Sequence, residues 1–268
     1  METCVLFRYE DHDTEEFEVC SKYFKTYRYR SEVPPNSLVI GRYSALPFYK
    51  ELEAELKLNG SALINTWYDH NYIADIRNWY PDVAKFTPTT YSNWSNLPED
   101  KQWVVKGITN SRKHQWATHM FAPDKKSLRE VISNLLGDTF IGSQGLVVRE
   151  YVPLKKIGEG MNGLPVTLEY RLFFFGSTLL ASGFYWSEHE DLHEGKLLFE
   201  GERFAKFIAS IVAKHTNFFV LDIALTEAGN WILIEINDGQ MSGLSCVDPE
   251  ELYSMLELKL EALTMKGF

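Results

Sequence analysis

The stretch Phe218–Gly243, FFVLDIALTEAGNWILIEINDGQMSG, most restricts what this chain can become. Phe218–Leu221 and Trp231–Ile234 are continuous apolar runs, too short for buried helices. They flank Thr226–Asn230, a loop of turn-forming residues. The pattern predicts a hairpin inside a buried sheet. Each run ends in polar oxygen: Asp222 on the first strand, Glu235 and Asn237 on the second. Side chains alternate faces along a strand, so Glu235 and Asn237 point the same way. The simplest pairing brings Asp222 beside them. Two carboxylates and an amide oxygen at one place suit Mg²⁺, a hard cation that takes carboxylate, phosphate and water oxygens. Solvated strand ends are the ordinary alternative, and spacing alone leaves it open.

The rest of the composition narrows the function classes. A chain of 268 residues with 45% hydrophobic and 24% charged residues has material for one large or two modest cores. Its net charge of −10 argues against general binding to nucleic acid or an anionic membrane. Cys4, Cys20 and Cys246 lie far apart, without metal-ligand or redox spacing, which points to a reducing, cytoplasmic setting. Charged residues interrupt the N-terminal segment, so no signal pattern is read there. No apolar run approaches membrane-spanning length.

Residues 1–95 read as a small α/β unit. Strands are expected at 4–7, 26–30, 37–41 and 62–65, with helices at 14–24 and 46–58. This alternation favours a mostly parallel sheet. A helix is expected over Ile73–Trp79. His70 before it is either a ligand contact at the strand lip or, more commonly, a structural histidine. Arg42, just past the third strand, is expected at the surface, with ligand contact as the alternative. The polar, proline-bearing stretch near residue 95 marks the boundary, and residues 96–268 form the second domain.

In that domain, Trp103–Gly107 is a short strand carrying Lys106 at its end, where burial would demand an anionic partner. A lysine that merely snorkels to solvent is the plain alternative. The basic loop Asn110-Ser111-Arg112-Lys113 follows. It offers cations to a polyphosphate but has no Walker pattern. A helix is expected over 124–136, a strand over 146–154 running into a hinge that contains Pro153, and a loop over 155–165. A hairpin then turns at Gly176-Ser177, with Glu169 and Arg171 on one face; a cross-strand ion pair is the plain reading. Helices at 201–214 and 249–265 complete the chain.

Taken in order, Lys106, the strand exit at Glu150–Val152, Glu169-x-Arg171, Asp222 and Glu235-x-Asn237 resemble the ATP-grasp superfamily over about residues 96–247. Leu63-Ile64-Asn65, Asn110–Lys113 and Arg149-Glu150-Tyr151 look most like a compact clade found in phages and bacteria. The resemblance implies an α/β chain of α+β ATP-grasp type. A small pre-ATP-grasp-like domain would precede a two-lobed domain of antiparallel sheets and helices. It implies ATP and Mg²⁺ as cofactors, with Asp222, Glu235 and Asn237 as metal ligands. Lys106 would contact the α-phosphate and Arg171 the terminal phosphate, both as catalytic charges. Arg112 and Lys113 would cover the phosphates. The backbone of Glu150, Tyr151 and Val152 would bind the adenine edge, and Glu169 the ribose. The implied activity is an ADP-forming ligation of a carboxylate to an amine or other nucleophile through an acyl-phosphate; whether a peptide or protein is a substrate stays open. A kinase and a nucleotide-binding module without turnover are the alternatives. Two features depart from the family pattern: Asp238–Gly243 replaces the common Pro-Gly turn, and Asn110–Lys113 replaces the glycine-rich loop.

Overall fold

A computed structural model describes residues 2–8, 14–109, 111–139, 141–193 and 195–265. The chain starts with β1 (Glu2–Phe7), α1 (Thr14–Tyr23), β2 (Lys25–Tyr27), β3 (Ser37–Arg42), α2 (Tyr49–Leu58) and β4 (Ala62–Leu63). These strands form a sheet in the order β2-β1-β3-β4, and every pairing in it is parallel, as the strand–helix alternation requires. The second strand is shorter than expected because Arg30–Glu32 closes into a 3₁₀ turn, with Glu32 accepting from the Arg28 and Tyr29 backbone N–H groups.

Two helices then stand where one was expected. In α3 (Trp67–Ala74), Thr66 caps the N-terminus and Asp69 returns a bond to the Thr66 N–H. Asp75 caps α4 (Ile76–Val83), in which Pro81 is accommodated before the C-terminus. Thr66-x-x-Asp69 was a readable start signal.

The antiparallel sheet that follows comprises β5 (Thr90–Tyr91), β6 (Trp103–Gly107), β7 (Phe121–Ala122) and β8 (Leu146–Glu150), in the order β5-β8-β6-β7, with α5 (Lys125–Gly137) packed on it. β8 ends at Glu150, four residues short of the expected strand, since Pro153 has no N–H to continue a ladder. The expected loop at 155–165 holds a ribbon instead, β9 (Lys156–Glu159) with β10 (Pro165–Thr167).

The central sheet contains β11 (Glu169–Phe175), β12 (Thr178–Phe184), β13 (Phe218–Leu225) and β14 (Trp231–Asp238), in the order β12-β11-β13-β14; α6 (Phe199–Val212) precedes β13 and α7 (Pro249–Met265) ends the chain. β13 explains its own apolar run, because both its faces are covered. Phe219, Leu221 and Ile223 join α4 and α6 in one core. Phe218 and Val220 join α7 and the first sheet in another. Asn65 fastens the first sheet to this strand. Its Nδ2 donates to the Phe218 carbonyl (2.6 Å) and its Oδ1 accepts from the Phe218 N–H (2.9 Å).

Candidate functional site

The polar end of the central sheet is built by register. On the face that carries Phe173 and Val220, the next residues along are Arg171 on β11, Asp222 on β13 and Glu235 on β14, and they lie directly opposite one another. Asn237 follows Glu235 on the same face. A bulge between Asp222 and Ile223 shifts the pairing by one residue, so that Glu235 rather than Ile234 meets Asp222. The expected convergence of Asp222, Glu235 and Asn237 is therefore present.

Arg171 stands in a cross-strand ion pair, as the plain reading had it, but its partner is Asp222 on β13 and not Glu169. Its Nε and Nη2 donate to the two oxygens of Asp222 (2.9 Å each), a bidentate grip, and Nη1 donates to the Gly243 carbonyl (2.8 Å). Asn237 Nδ2 also donates to Asp222 (3.2 Å). Lys106 is buried and donates to Glu235 Oε1, so the anionic partner demanded by its position comes from the opposite lobe.

Lys113 reaches the same place: Nζ donates to the Tyr185 hydroxyl (2.6 Å) and lies over the rings of Tyr185 and Trp186. Arg112 does not. Its side chain turns away to Asp138 (2.6–2.7 Å) at the surface, outside the cavity that Lys113 lines. Asn110, part of the same predicted loop, lies outside the described residues.

A cavity of about 190 Å³ opens between the two sheets, lined by Lys106, Lys113, Arg149, Tyr151, Glu169 and Glu235 among others. At its hinge wall the Glu150 N–H is bonded to the Thr89 carbonyl and the Tyr151 N–H to the Gln102 carbonyl, both at 2.8 Å. The predicted three-residue adenine contact thus has two of its three N–H donors engaged within the protein. Val152 N–H makes no backbone bond among the described residues. Further in, Glu169 is buried, and its Oε1 has no hydrogen-bond partner among the described residues. A buried carboxylate oxygen left unpaired is costly, and donors from a bound molecule would satisfy it.

Burial is also the largest influence on the titration of these groups. It raises Glu169 to about 7, with Lys113 and Arg171 pulling down and Asp222 and Glu235 pushing up. It lowers Lys106, which Glu235 only partly offsets. Burial would raise Glu235 as well, yet Lys106, Lys113 and Arg149 outweigh it and hold the carboxylate below its usual range.

Arg149 was missed as a site residue. It is buried without a carboxylate at ion-pair distance among the described residues, and burial brings it down to about 10. Its guanidinium donates to the carbonyl of the bulged Ile234 (2.7 Å) and to Thr87 Oγ1 (2.6 Å). The readable signal was a charged residue directly after the apolar run Leu146–Val148, still inside the strand. Arg42, expected at the surface, is buried as well, paired with Glu16 (2.6 Å) and bonded to the Gly239 carbonyl.

Lys106, Lys113, Arg149 and Arg171 thus surround Glu169, Asp222 and Glu235: four cations against three carboxylates, one of the three with its ionisation suppressed. This cluster, two of its cations buried and two half-buried, has positive charge to spare and attracts a polyanion.

A sequence profile of the ATP-grasp domain, describing family 3 of one clade of that superfamily, matches residues 93–256. The chain belongs to this ATP-grasp family. Solved ATP-grasp-type structures share its fold from end to end. D-cycloserine synthetase DcsG is 15% identical with a TM-score of 0.61, covering 96% of this chain and 99% of its own. D-alanine–D-alanine ligase from Bacillus anthracis, complexed with ATP, is 12% identical with a TM-score of 0.59, covering 99% of both chains. The ATP-grasp ligase PsnB, complexed with minimal precursor, Mg and ADP, is 11% identical with a TM-score of 0.57, covering 97% of this chain and 98% of its own. No curated protein is significantly similar in sequence.

The fold family implies a magnesium ion, and the donors here fit one. Glu235 Oε2 makes no bond among the described residues, and Asp222 Oδ1 accepts only from Arg171. With Asn237 Nδ2 turned to Asp222, its amide oxygen is left as an acceptor. Among the described residues no three His, Cys, Asp or Glu side chains cluster to hold a metal, so the candidate set is two carboxylates and an amide. No helix among them is long and apolar enough to cross a membrane.

Proposed function

We propose that this protein is an ATP-dependent, ADP-forming ligase that joins a carboxylate to an amine. The observation that carries this reading is the excess of cations around Asp222 and Glu235 at the inner end of a cavity between two sheets. The triphosphate would lie against Lys106, Lys113 and Arg171, with Glu169 accepting from the ribose hydroxyls and Val152 N–H facing the adenine edge. Asp222, Glu235 and Asn237 would hold magnesium, which would supply positive charge to the phosphates. Family membership and the nucleotide-bound relatives of the same fold support this placement.

The residues orient and neutralise; no side-chain nucleophile is needed. A substrate carboxylate oxygen attacks the γ-phosphorus, ADP leaves, and an acyl-phosphate forms. An amine then attacks the acyl carbon and phosphate departs. Residues 1–95 furnish one wall of the substrate side, and residues 96–268 hold the nucleotide.

Hydroxylamine tests the reading, because it traps any acyl-phosphate as a hydroxamate. The protein is incubated with ATP, Mg²⁺ and hydroxylamine against a panel of carboxylic acids, amino acids and short peptides. ADP release matched by hydroxamate is expected for the true donor. A phosphorylated product without hydroxamate identifies a kinase, and nucleotide binding without turnover across the panel identifies a binding module.

A further inference from the structure

A second cavity, of about 160 Å³, opens on the other side of Glu235, which lines both. Its wall is mixed: polar groups, the carboxylates of Glu235 and Asp238 among them, make the larger share, and Leu46, Ile73, Ala74, Trp79 and Ile108 supply an apolar part. Its polar lining includes Asn237 and His70. No lysine or arginine lines it among the described residues.

His70 is fixed there by an uncommon set of contacts. Asp238 accepts from His70 Nδ1, from Asn65 Nδ2 and from the Gln240 N–H, each at 2.9 Å. The ring stacks on Tyr49 with centroids 4.3 Å apart and 14° between planes. A carboxylate already receiving two donors takes a third from Nδ1–H, which leaves the lone pair on Nε2. The histidine is only 3% exposed, and Nε2 has no partner among the described residues.

We propose that the second cavity takes the nucleophile as an alkyl amine and that His70 accepts its proton. The proposal rests on the ligase reading and adds the acceptor class and the proton's destination. A substrate carboxylate in this cavity would find no cation among the lining side chains, and the magnesium on Glu235 and Asn237 would already be engaged with phosphate, so its burial is costly. An amine would find the Nε2 lone pair and apolar side chains for its alkyl group. In the step, the amine nitrogen bonds to the acyl carbon and the bond from that carbon to the phosphate oxygen breaks. The phosphate leaves with the electron pair. The alkyl amine arrives as an ammonium and first gives one proton to Nε2, where Asp238 stabilises the imidazolium; the lone pair so freed makes the attack, and the second N–H proton, shed as the C–N bond forms, leaves on the departing phosphate. General-base assistance of this kind is worth about 10²–10⁴-fold in rate.

Two measurements test this. The full-length protein with Mg²⁺ and AMPPNP is melted with isobutylamine and, separately, with isobutyrate. A rise in Tm with the amine and none with the carboxylate is expected. Ala74→Phe, which fills the cavity, should lose the amine response and keep the rise caused by AMPPNP. A response to isobutyrate alone, no response to the amine, or an amine response that survives Ala74→Phe overturns the site. For the proton, His70→Asn keeps a donor towards Asp238 but presents no imidazole to the cavity. With the donor found by hydroxamate trapping, its turnover with isobutylamine should fall about 100-fold or more. Turnover with hydroxylamine, already unprotonated at neutral pH, should fall less than about tenfold. Equal losses with both nucleophiles overturn the base. Failure to form hydroxamate with any donor instead sinks the ligase reading and the proton step with it, while the melting measurement still decides what the cavity binds.

Discussion

Glu169 couples the site to pH. Its carboxyl titrates near 7 in the folded chain against an ordinary value of 4.5, because burial penalises the charge. The folded state therefore binds more protons than the unfolded state between those values, and stability falls as pH rises from about 4.5 to about 7. At 1.36 kcal/mol per pKa unit the full loss is roughly 3 kcal/mol. Glu169→Gln should remove that part of the slope, as urea unfolding of both proteins at pH 5 and pH 8 will show; parallel slopes would refute the assignment. The same variant should bind ATP more weakly by roughly 1–3 kcal/mol, the range for a charged hydrogen bond, and lose little against a nucleotide without sugar hydroxyls. At this scale the sequence was uneven. Asp222, Glu235 and Asn237 were legible because strand period and register carry side chains to known faces. Arg112 and Lys113 were not separable: they are adjacent in a loop, where no periodicity says which cation turns inward and which finds Asp138.

Between elements, the buried pair Lys106–Glu235 joins β6 to β14 across the cavity. Deleting one partner of such a pair leaves an uncompensated charge and commonly costs 3–5 kcal/mol. Lys106→Met should destabilise the metal-free protein by about that much. The double variant with Glu235→Gln should recover most of it, measured as a double-mutant cycle in urea. Mg²⁺ added to Lys106→Met should raise its Tm, because the cation replaces the lost ammonium; Glu235→Gln should lose the Mg-nucleotide shift of the parent. Element types were largely readable from the sequence, while their limits were set by side chains reaching from elsewhere. β8 stops at a proline, and the ribbon at residues 156–167 was hidden by its glycines and short strands.

Across the whole molecule, the first sheet and the central sheet are joined through Asn65 more than through any linker. Its amide spends both donors and its oxygen on Phe218 and Asp238 (2.6–2.9 Å). Asn65→Ala would strand the Phe218 backbone groups away from water at a cost of at least about 1–3 kcal/mol, and would free Asp238 from one of its donors. Loss of stability in urea should be joined by loss of the amine response in the second cavity; stability lost with that response intact would show that Asn65 is a brace only. The sequence singled out Leu63-Ile64-Asn65 by resemblance, yet contained no hint of this role, because the partners lie more than 150 positions away. Glu235 has a further consequence at this scale. It is a wall common to two rooms, so whatever enters one changes the charge presented to the other. A Mg-nucleotide, net negative even with its cation on Glu235, draws Lys106 towards its phosphates and leaves the shared wall more negative, and an amine is then held more tightly there. Reciprocity requires the amine to tighten the nucleotide by the same factor. The two substrates would thus be taken up cooperatively, through one shared carboxylate and without any movement of the lobes.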